Sequence, residues 1–553
     1  MKALRLILVV AGLTGAALAQ QPTITGVTNG ASYIPNGLPN SGVARGALFV
    51  IKGDNLGPDN YVVASEFPLQ STIAGTSVRI TAGGVTVPAI MYYAGKKQVA
   101  AILPSTLAAG PGTLTVTYNG QTSAPAQINI VQNALGLFTT ASSGSGDAIA
   151  TLGSGFLSPS NSANPGETIV LWGTGLGPVT FDETRAAVQS DMTNVPVEAF
   201  VGGLPANVVF RGRNGCCAAV DTIYIVVPQG VSGCAVSVIL KIGNVVSNTA
   251  TIPVATSGRT CALSSSGLSP SDLAIWTNGG TVAIGSVTLQ RSLSSTLPLS
   301  VGGITIPGMT SRADAGAAAF FKITVPPGGY GVGSQVDIAA YGSCIVTTYA
   351  GNTVPPAFAF QSLDAGASIA INGPAGQRTL NKTTFENITS YSATFDMTGS
   401  YLNAGQYSIT GPGGADVGSF NASLTMAPPL VWTNQAATTS VNRASGVTVN
   451  WTGGDPAGYV QIAGNSFTGS ATNLTVATFI CNARTSDGTF TVPPVVLLSL
   501  PPSGSQSQGG ISIPIPGGLS VSGYSAFSRF SASGINYGNV LGVVTNQNQV
   551  QYQ

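Results

Sequence analysis

One segment of this sequence occurs twice. Gly46-Ala-Leu-Phe-Val-Ile-Lys-Gly-Asp-Asn-Leu-Gly-Pro58 returns as Gly166-Glu-Thr-Ile-Val-Leu-Trp-Gly-Thr-Gly-Leu-Gly-Pro178. Later landmarks follow in the same order: Gly83-Gly84 answers to Gly202-Gly203, and Leu103-Pro104 to Val227-Pro228. The spacing between copies is that of a whole domain, so the fold must repeat as a unit. Within each copy apolar residues alternate with polar ones. Leu114, Val116 and Tyr118 interleave with Thr113, Thr115 and Thr117, and Val236, Val238, Leu240 and Ile242 do likewise. That is the period of a strand with one face in a core. Leu48-Phe49-Val50-Ile51 lacks the alternation and reads as a strand buried on both faces. The glycines after it permit the positive φ of a tight turn. No long stretch has the 3.6-residue period of a helix. The chain is therefore expected to be all-β, with successive β-sandwich domains over 20–132 and 133–257.

The Gly-x-x-x-x-Ile/Leu-x-Gly-x-x-Leu-Gly-Pro spacing of both copies resembles the IPT/TIG class of immunoglobulin-like domains. Across residues 24–254 the chain resembles a family of exported proteins of acidobacterial type with two such domains in tandem. Val27-Thr-Asn-Gly-Ala-Ser-Tyr33, Gly136-Leu-Phe138 and Gly215-Cys-Cys217 with Gly233-Cys234 belong to the same pattern. The resemblance implies tandem immunoglobulin-like β-sandwich domains and an extracellular address. It brings no activity and no catalytic residues.

The N-terminus points the same way. Lys2 and Arg5 precede an apolar run over 6–18, and Ala17-Leu18-Ala19 has the small-x-small form of a cleavage site. Residues 1–19 therefore read as a signal peptide, with the mature start near Gln20. The run is shorter than the ~20 residues of a spanning helix, and no membrane insertion is expected after cleavage. An exported chain with six cysteines predicts disulfides. The candidates are Cys216, Cys217, Cys234, Cys261, Cys344 and Cys481. Neighbours on an extended strand face opposite ways, so Cys216 and Cys217 are expected to take different partners, with Cys234 and Cys261 in reach. A free buried thiol and other pairings stay open. With no Cys-x-x-Cys and no His, a zinc site is not supported.

Beyond Val254 the sequence stays β without repeating the motif. Ser257-Gly258 and Ser264-Ser265-Ser266-Gly267 mark a linker. Three further units are expected: a β-sandwich over 258–356, a small β domain over 357–430, and a C-terminal sandwich over 431–553. The middle unit has two similar edges, at 369–374 and 408–412. In the last, 495–500 reads as a central strand and 503–510 as a polar loop.

Charge narrows the function. Charged residues make up 7% of the chain and the net charge is +1, with no Lys/Arg run. The clustered cations that hold nucleic acid or an anionic membrane are absent. Without His, neither a Ser-His-Asp nor a Cys-His pair can be built. Paired carboxylates remain, and Asp182-Glu183 with Asp191 is where acids gather. Adjacent positions make poor acid/base pairs, so the segment reads as a solvated loop. Three carboxylates plus loop carbonyls make Asp182, Glu183 and Asp191 a candidate calcium site. Isolated acids such as Asp221 and Asp455 read as turn or edge residues, and Trp172 as core. Tyr92, Tyr93 and Trp451 are candidate carbohydrate contacts. One of the two tyrosines should nevertheless face inward, and Trp451 continues the buried face of Val447 and Val449. The leading expectation is a non-catalytic, secreted or cell-surface structural or interaction protein. It would contact an extracellular protein or polysaccharide through loops or strand edges, without a cofactor. A polysaccharide-binding accessory protein is the alternative and predicts a contiguous exposed aromatic strip. A His-free glycoside hydrolase would need two acids converging in a cleft.

Overall fold

The computed structural model describes residues 20–185, 189–262, 280–301, 304–325, 339–350, 360–470, 473–508 and 511–553. The expected signal peptide at 1–19 and the expected linker at 264–267 lie outside the described residues.

In the first copy the alternating strands close two sheets on each other. Thr23–Asn29, Leu48–Asp54, Gln98–Ile102, Ile90–Ala94 and Val62–Val63 hydrogen-bond in that order. Ala126–Val131, Gly110–Tyr118 and Thr76–Ala82 form the middle of the facing sheet. Phe49 and Ile51 meet Val78, Ile80, Leu114 and Val116 in the core between them. Leu48 and Val50, on the other face of the same strand, are buried against Ala218 and Ala219 of the second domain.

The second copy builds its two layers from one continuous sheet of 11 strands. Leu204–Arg213 serves both layers, pairing Val197–Val201 at its start and Asp221–Val226 along the rest. Ile169, Leu171, Ile223 and Ile225 share a core with Val236, Val238 and Leu240. Trp172 departs from the sequence reading. Ile169 and Leu171 take the inward positions, so Val170 and Trp172 fall on the outer face, half-buried. The recurring glycines have a backbone reason: Gly46 and Gly166 sit at φ 74° and 90°.

The remaining segments do not separate into cores at 356/357 and 430/431. Gly280–Ser295 pairs antiparallel with Thr310–Val325 and parallel with Tyr537–Tyr552 at the far end of the chain. One 15-stranded sheet thus draws on all three expected units. The 16-residue strand Tyr537–Tyr552 spans about 50 Å at the usual rise, longer than one sandwich, and serves two cores, with Val540 in one and Val550 and Tyr552 in the other. One core joins Val287, Leu289 and Phe320 to Ile371, Tyr407 and Phe420. The other joins Cys344 and Val346 to Trp432, Trp451, Phe479 and Tyr552. The two similar edges are neighbours, with Ile371 opposite Ile409. Pro494–Leu497 is a single helical turn where the sequence reads as a strand. Pro493 and Pro494 offer a ladder no N–H, and Pro494 suits the first helical position. Gly504–Gln508, read as a polar loop, is a strand paired with Ile511–Ile515.

All six cysteines are bonded, as Cys216–Cys217, Cys234–Cys261 and Cys344–Cys481. The first pairing overturns the expectation of separate partners. Cys216 and Cys217 lie in the turn between two strands, so the alternation of an extended backbone does not apply to them.

Candidate functional site

Both copies carry a β-bulge at the same place. Ile90–Ala94 slips against Gln98–Ile102 between Met91 and Tyr93, and Leu204–Arg213 slips against Asp221–Val226 between Val208 and Phe210. An inserted residue re-aims the side chains around it. Tyr92 and Tyr93 therefore both pack outside the core, beside Leu48, Val50 and Ala100, which corrects the expectation that one faces inward. Tyr93 stands opposite Ala100, and its counterpart Phe210 opposite Tyr224. Each copy so places an aromatic ring on the outer face of its sheet.

On the first face Tyr61 meets Tyr93 edge to face at 5.7 Å. Gln98 donates to the Tyr93 hydroxyl, and Lys52 Nζ lies 5.0 Å from the centre of the Tyr33 ring. Part of this face is closed where Ala218 and Ala219 cover Leu48 and Val50. Burial pushes the Tyr93 phenol up to about 12, against the opposing hydrogen bond from Gln98. A pKa raised by folding means that the folded chain holds the proton longer. The stabilisation is complete below the ordinary value of 10.0 and is lost as pH rises towards about 12. The Tm of Tyr93→Phe is expected to fall less steeply than the parent's across that window in calorimetry. Equal slopes would remove Tyr93 as the source.

Among the described residues no apolar cluster closes the second face in this way. Phe156, Thr151, Val170, Tyr224 and Phe210 stand opposite one another in a single row across five strands. The Phe210 and Tyr224 rings lie 5.0 Å apart. Gln189 Nε2 donates to the Tyr224 hydroxyl at 3.2 Å. Trp172, two residues along from Val170, donates from Nε1 to Thr151 Oγ1 at 3.4 Å. Phe156, on the outermost strand, is 67% exposed, and Trp172, Phe210 and Tyr224 are half-buried. Gly212 lets the Ser190–Asp191 strand pair alongside, since a Cβ there would collide with the Ser190 carbonyl oxygen and fall 3.0 Å from the Phe210 ring.

A buried polar seam ties the two copies together. Arg213 and Asp221 are 1% and 0% exposed and form an ion pair. Asp221 Oδ2 accepts from the amides of Gly175 and Leu176 at 2.7 and 2.8 Å. Arg213 Nη2 donates to the carbonyls of Gly177 and, across the domain boundary, Gly46, both at 2.8 Å. Asp221 is thus a buried staple, not the turn or edge residue its isolation suggested. Asp455 does cap a turn, accepting from Ala457 N at 3.0 Å.

The candidate calcium site does not form. Glu183 turns into the seam and accepts from the amide and hydroxyl of Ser105 at 2.9 and 2.7 Å. Burial there pushes its carboxyl above the usual carboxylate range. Asp182 accepts from Thr184 and Arg185, while Asp191 lies 4.0 Å from Arg211. Each acid has found its own donors, and none of the described residues form a group of three or more His, Cys, Asp or Glu able to hold a metal. Trp451 is also lost as a carbohydrate contact. It is 3% exposed and donates to the carbonyl of Thr485 at 2.9 Å. The row Phe156–Tyr224–Phe210 went unnoticed in the sequence. Its one local signal is the alternation of Val170 and Trp172 against Ile169 and Leu171.

These features define an all-β protein with tandem immunoglobulin-like sandwiches. No family model and no curated protein matches the chain. Among solved structures it is similar to the plexin A4 extracellular region, at 14% identity and TM-score 0.14, over 43% of this chain and 18% of that one. It therefore spans under a fifth of that region's length. It is also similar to SGBP-B of the Bacteroides ovatus mixed-linkage glucan utilization locus, at 12% identity and TM-score 0.14, covering 90% and 97% of the two chains. A third is domains 5–6 of the S-layer protein SbsC, at 14% identity and TM-score 0.16, over 42% and 98%. The likeness does not extend beyond strand-built tandem modules.

Proposed function

We propose that this is an exported, non-catalytic binding protein of the extracellular space or cell surface. Its first two sandwiches are IPT/TIG-like, and the second presents its bulge-bearing sheet face to a partner. The carrying observation is the row of rings on the outer face of the second sandwich. Several other exposed strand pairs are hydroxyl ladders, such as Thr81–Thr86, Thr117–Thr122 and Thr448–Thr491, and the exposed apolar pair Phe385–Ile388 is confined to a hairpin end. Aromatic rings gathered on one face against that background mark a contact surface. Three disulfides suit an oxidising compartment.

The hydrolase alternative finds little support. Asp314 and Asp396 do converge, both accepting from Tyr401 N at 2.9 and 2.8 Å. Yet Asp314 is 0% exposed and held by Arg291 through two 2.8 Å bonds, and Asp396 accepts from the amides of Thr398, Gly399 and Ser400. The pair braces a loop. The labelled mature chain is expected to be retained on intact cells of the producing organism or on their surface extract. Phe156→Ser with Tyr224→Ala should remove most of that retention. Sugar release from the extract would overturn the non-catalytic reading, and undiminished retention by the double variant would overturn the choice of surface.

A further inference from the structure

We infer that the outer face of the second sandwich binds a neutral, extended polysaccharide; this rests on the reading of that face as the contact surface. The row from Phe156 to Phe210 crosses five strands, so it is about 19 Å long at the usual strand spacing. That accommodates several pyranose rings end to end. Sugar rings present C–H faces that stack on aromatic side chains and hydroxyls at their rims. The face supplies both kinds of partner: the rings of Phe156, Trp172, Tyr224 and Phe210, and beside them the Gln189 amide with the Tyr224 and Thr151 hydroxyls. No residue of the row is charged, which matches an uncharged polymer and gives a polyanion nothing to pair with.

The internal repeat separates this occupant from a protein. In the first copy the equivalent face is covered by protein, and there a small residue, Ala100, meets Ala218 and Ala219. In the second copy Tyr224 takes the place of Ala100 opposite the matching strand position. Trp172 likewise replaces Lys52 at the same place in the motif. Where the first copy packs on the second, Leu48, Val50 and Ala100 share a cluster with Ala218, Ala219 and the Tyr92 and Tyr93 rings; at the place of Ala100 the second copy sets a further ring, Tyr224, with the Gln189 amide on its hydroxyl.

The test is affinity electrophoresis of the full mature chain through gels containing soluble β-glucan, xylan or galactomannan, with alginate and hyaluronan as polyanions. At least one neutral polymer is expected to retard the chain, and neither polyanion should. Phe156→Ala and Tyr224→Ala should each weaken binding roughly tenfold or more, as truncated aromatic anchors do. Phe156 is an exposed edge residue, so its variant should keep the parent Tm, and Tyr61→Ala on the first face should bind as the parent does. No retardation by any neutral polymer, with cell retention intact, would sink the polysaccharide and leave the contact surface standing. Loss of cell retention as well would sink both. Retardation by the polyanions alone, or unaltered binding by the Phe156→Ala/Tyr224→Ala chain, would overturn the inference. So would light scattering that shows a dimer abolished by Phe156→Ala.

Discussion

Arg213→Ala is expected to destabilise the paired sandwiches by about 3–5 kcal/mol, the usual cost of removing one partner of a buried ion pair. The guanidinium is almost wholly enclosed and serves Asp221, Gly46 and Gly177 together. Its loss leaves the Asp221 carboxylate with the amides of Gly175 and Leu176 but without a counter-charge in a dry site. It also leaves two carbonyls without their donor. Since the bond to Gly46 crosses the domain boundary, the damage should extend to coupling. Calorimetry of the variant should show the first two domains melting separately, where the parent's melt together. Arg213→Met with Asp221→Leu removes both charges, and that pair should recover much of the loss. A single variant within about 1 kcal/mol of the parent would contradict this account.

How much of this could be read from sequence depends on how local the cause is. The repeated motif was legible because its glycines answer to backbone geometry within a few residues, as Gly46 and Gly166 do. Trp172 was misplaced for a non-local reason. Thr168-Ile-Val-Leu-Trp172 is apolar on both faces, like Leu48-Phe-Val-Ile51, and only the fold decides which outer face gets covered. Ala218 and Ala219 of the 214–220 turn pack on the first copy, and none of the described residues forms such a cluster on the second. The bulges that turn Tyr93 and Phe210 outward are likewise matters of pairing between strands. Arg213 and Asp221 flank that same turn, but nothing about an isolated acid says that it will be sealed in.

The C-terminal half hid its organisation for a similar reason. A break such as Ala427-Pro-Pro429 forms a loop in any arrangement, and composition alone does not say whether it ends a core. The pairing of Gly280–Ser295 with the last strand joins residues more than 240 positions apart. Such non-local contacts have no nearby signature. The cysteines differ in cause: side chains alternate along a strand, but Cys216 and Cys217 sit in a turn.

The Cys344–Cys481 bond offers the second large effect. Its sequence separation is 137, and chain entropy assigns roughly 5 kcal/mol to closing a loop of that size. The ladder of Cys344–Ala350 against Asn473–Arg484 already restrains the same segment, so Cys344→Ser/Cys481→Ser should cost somewhat less, about 3–4 kcal/mol in denaturant titration. The consequence should be regional. Cys344–Ala350 is an edge strand of the large sheet, and the residues just before it reach the second sandwich. Ala340 N donates to Ala235 O at 3.0 Å, and Ser237 N to Ser343 Oγ at 3.3 Å. Gly342 N holds the other side, donating to Asn482 O at 2.8 Å. Freed of the disulfide, this bridge should open before either core does. Hydrogen exchange should then quicken in Cys344–Ala350 and around Ala235, while Leu48–Asp54 in the first sandwich stays protected. The adjacent pair provides the internal standard, because Cys216–Cys217 closes almost no loop. Replacing both of those residues by Ser should cost only on the order of 1 kcal/mol. Equal costs for the two pairs would mean that loop closure is not what the long-range disulfide contributes.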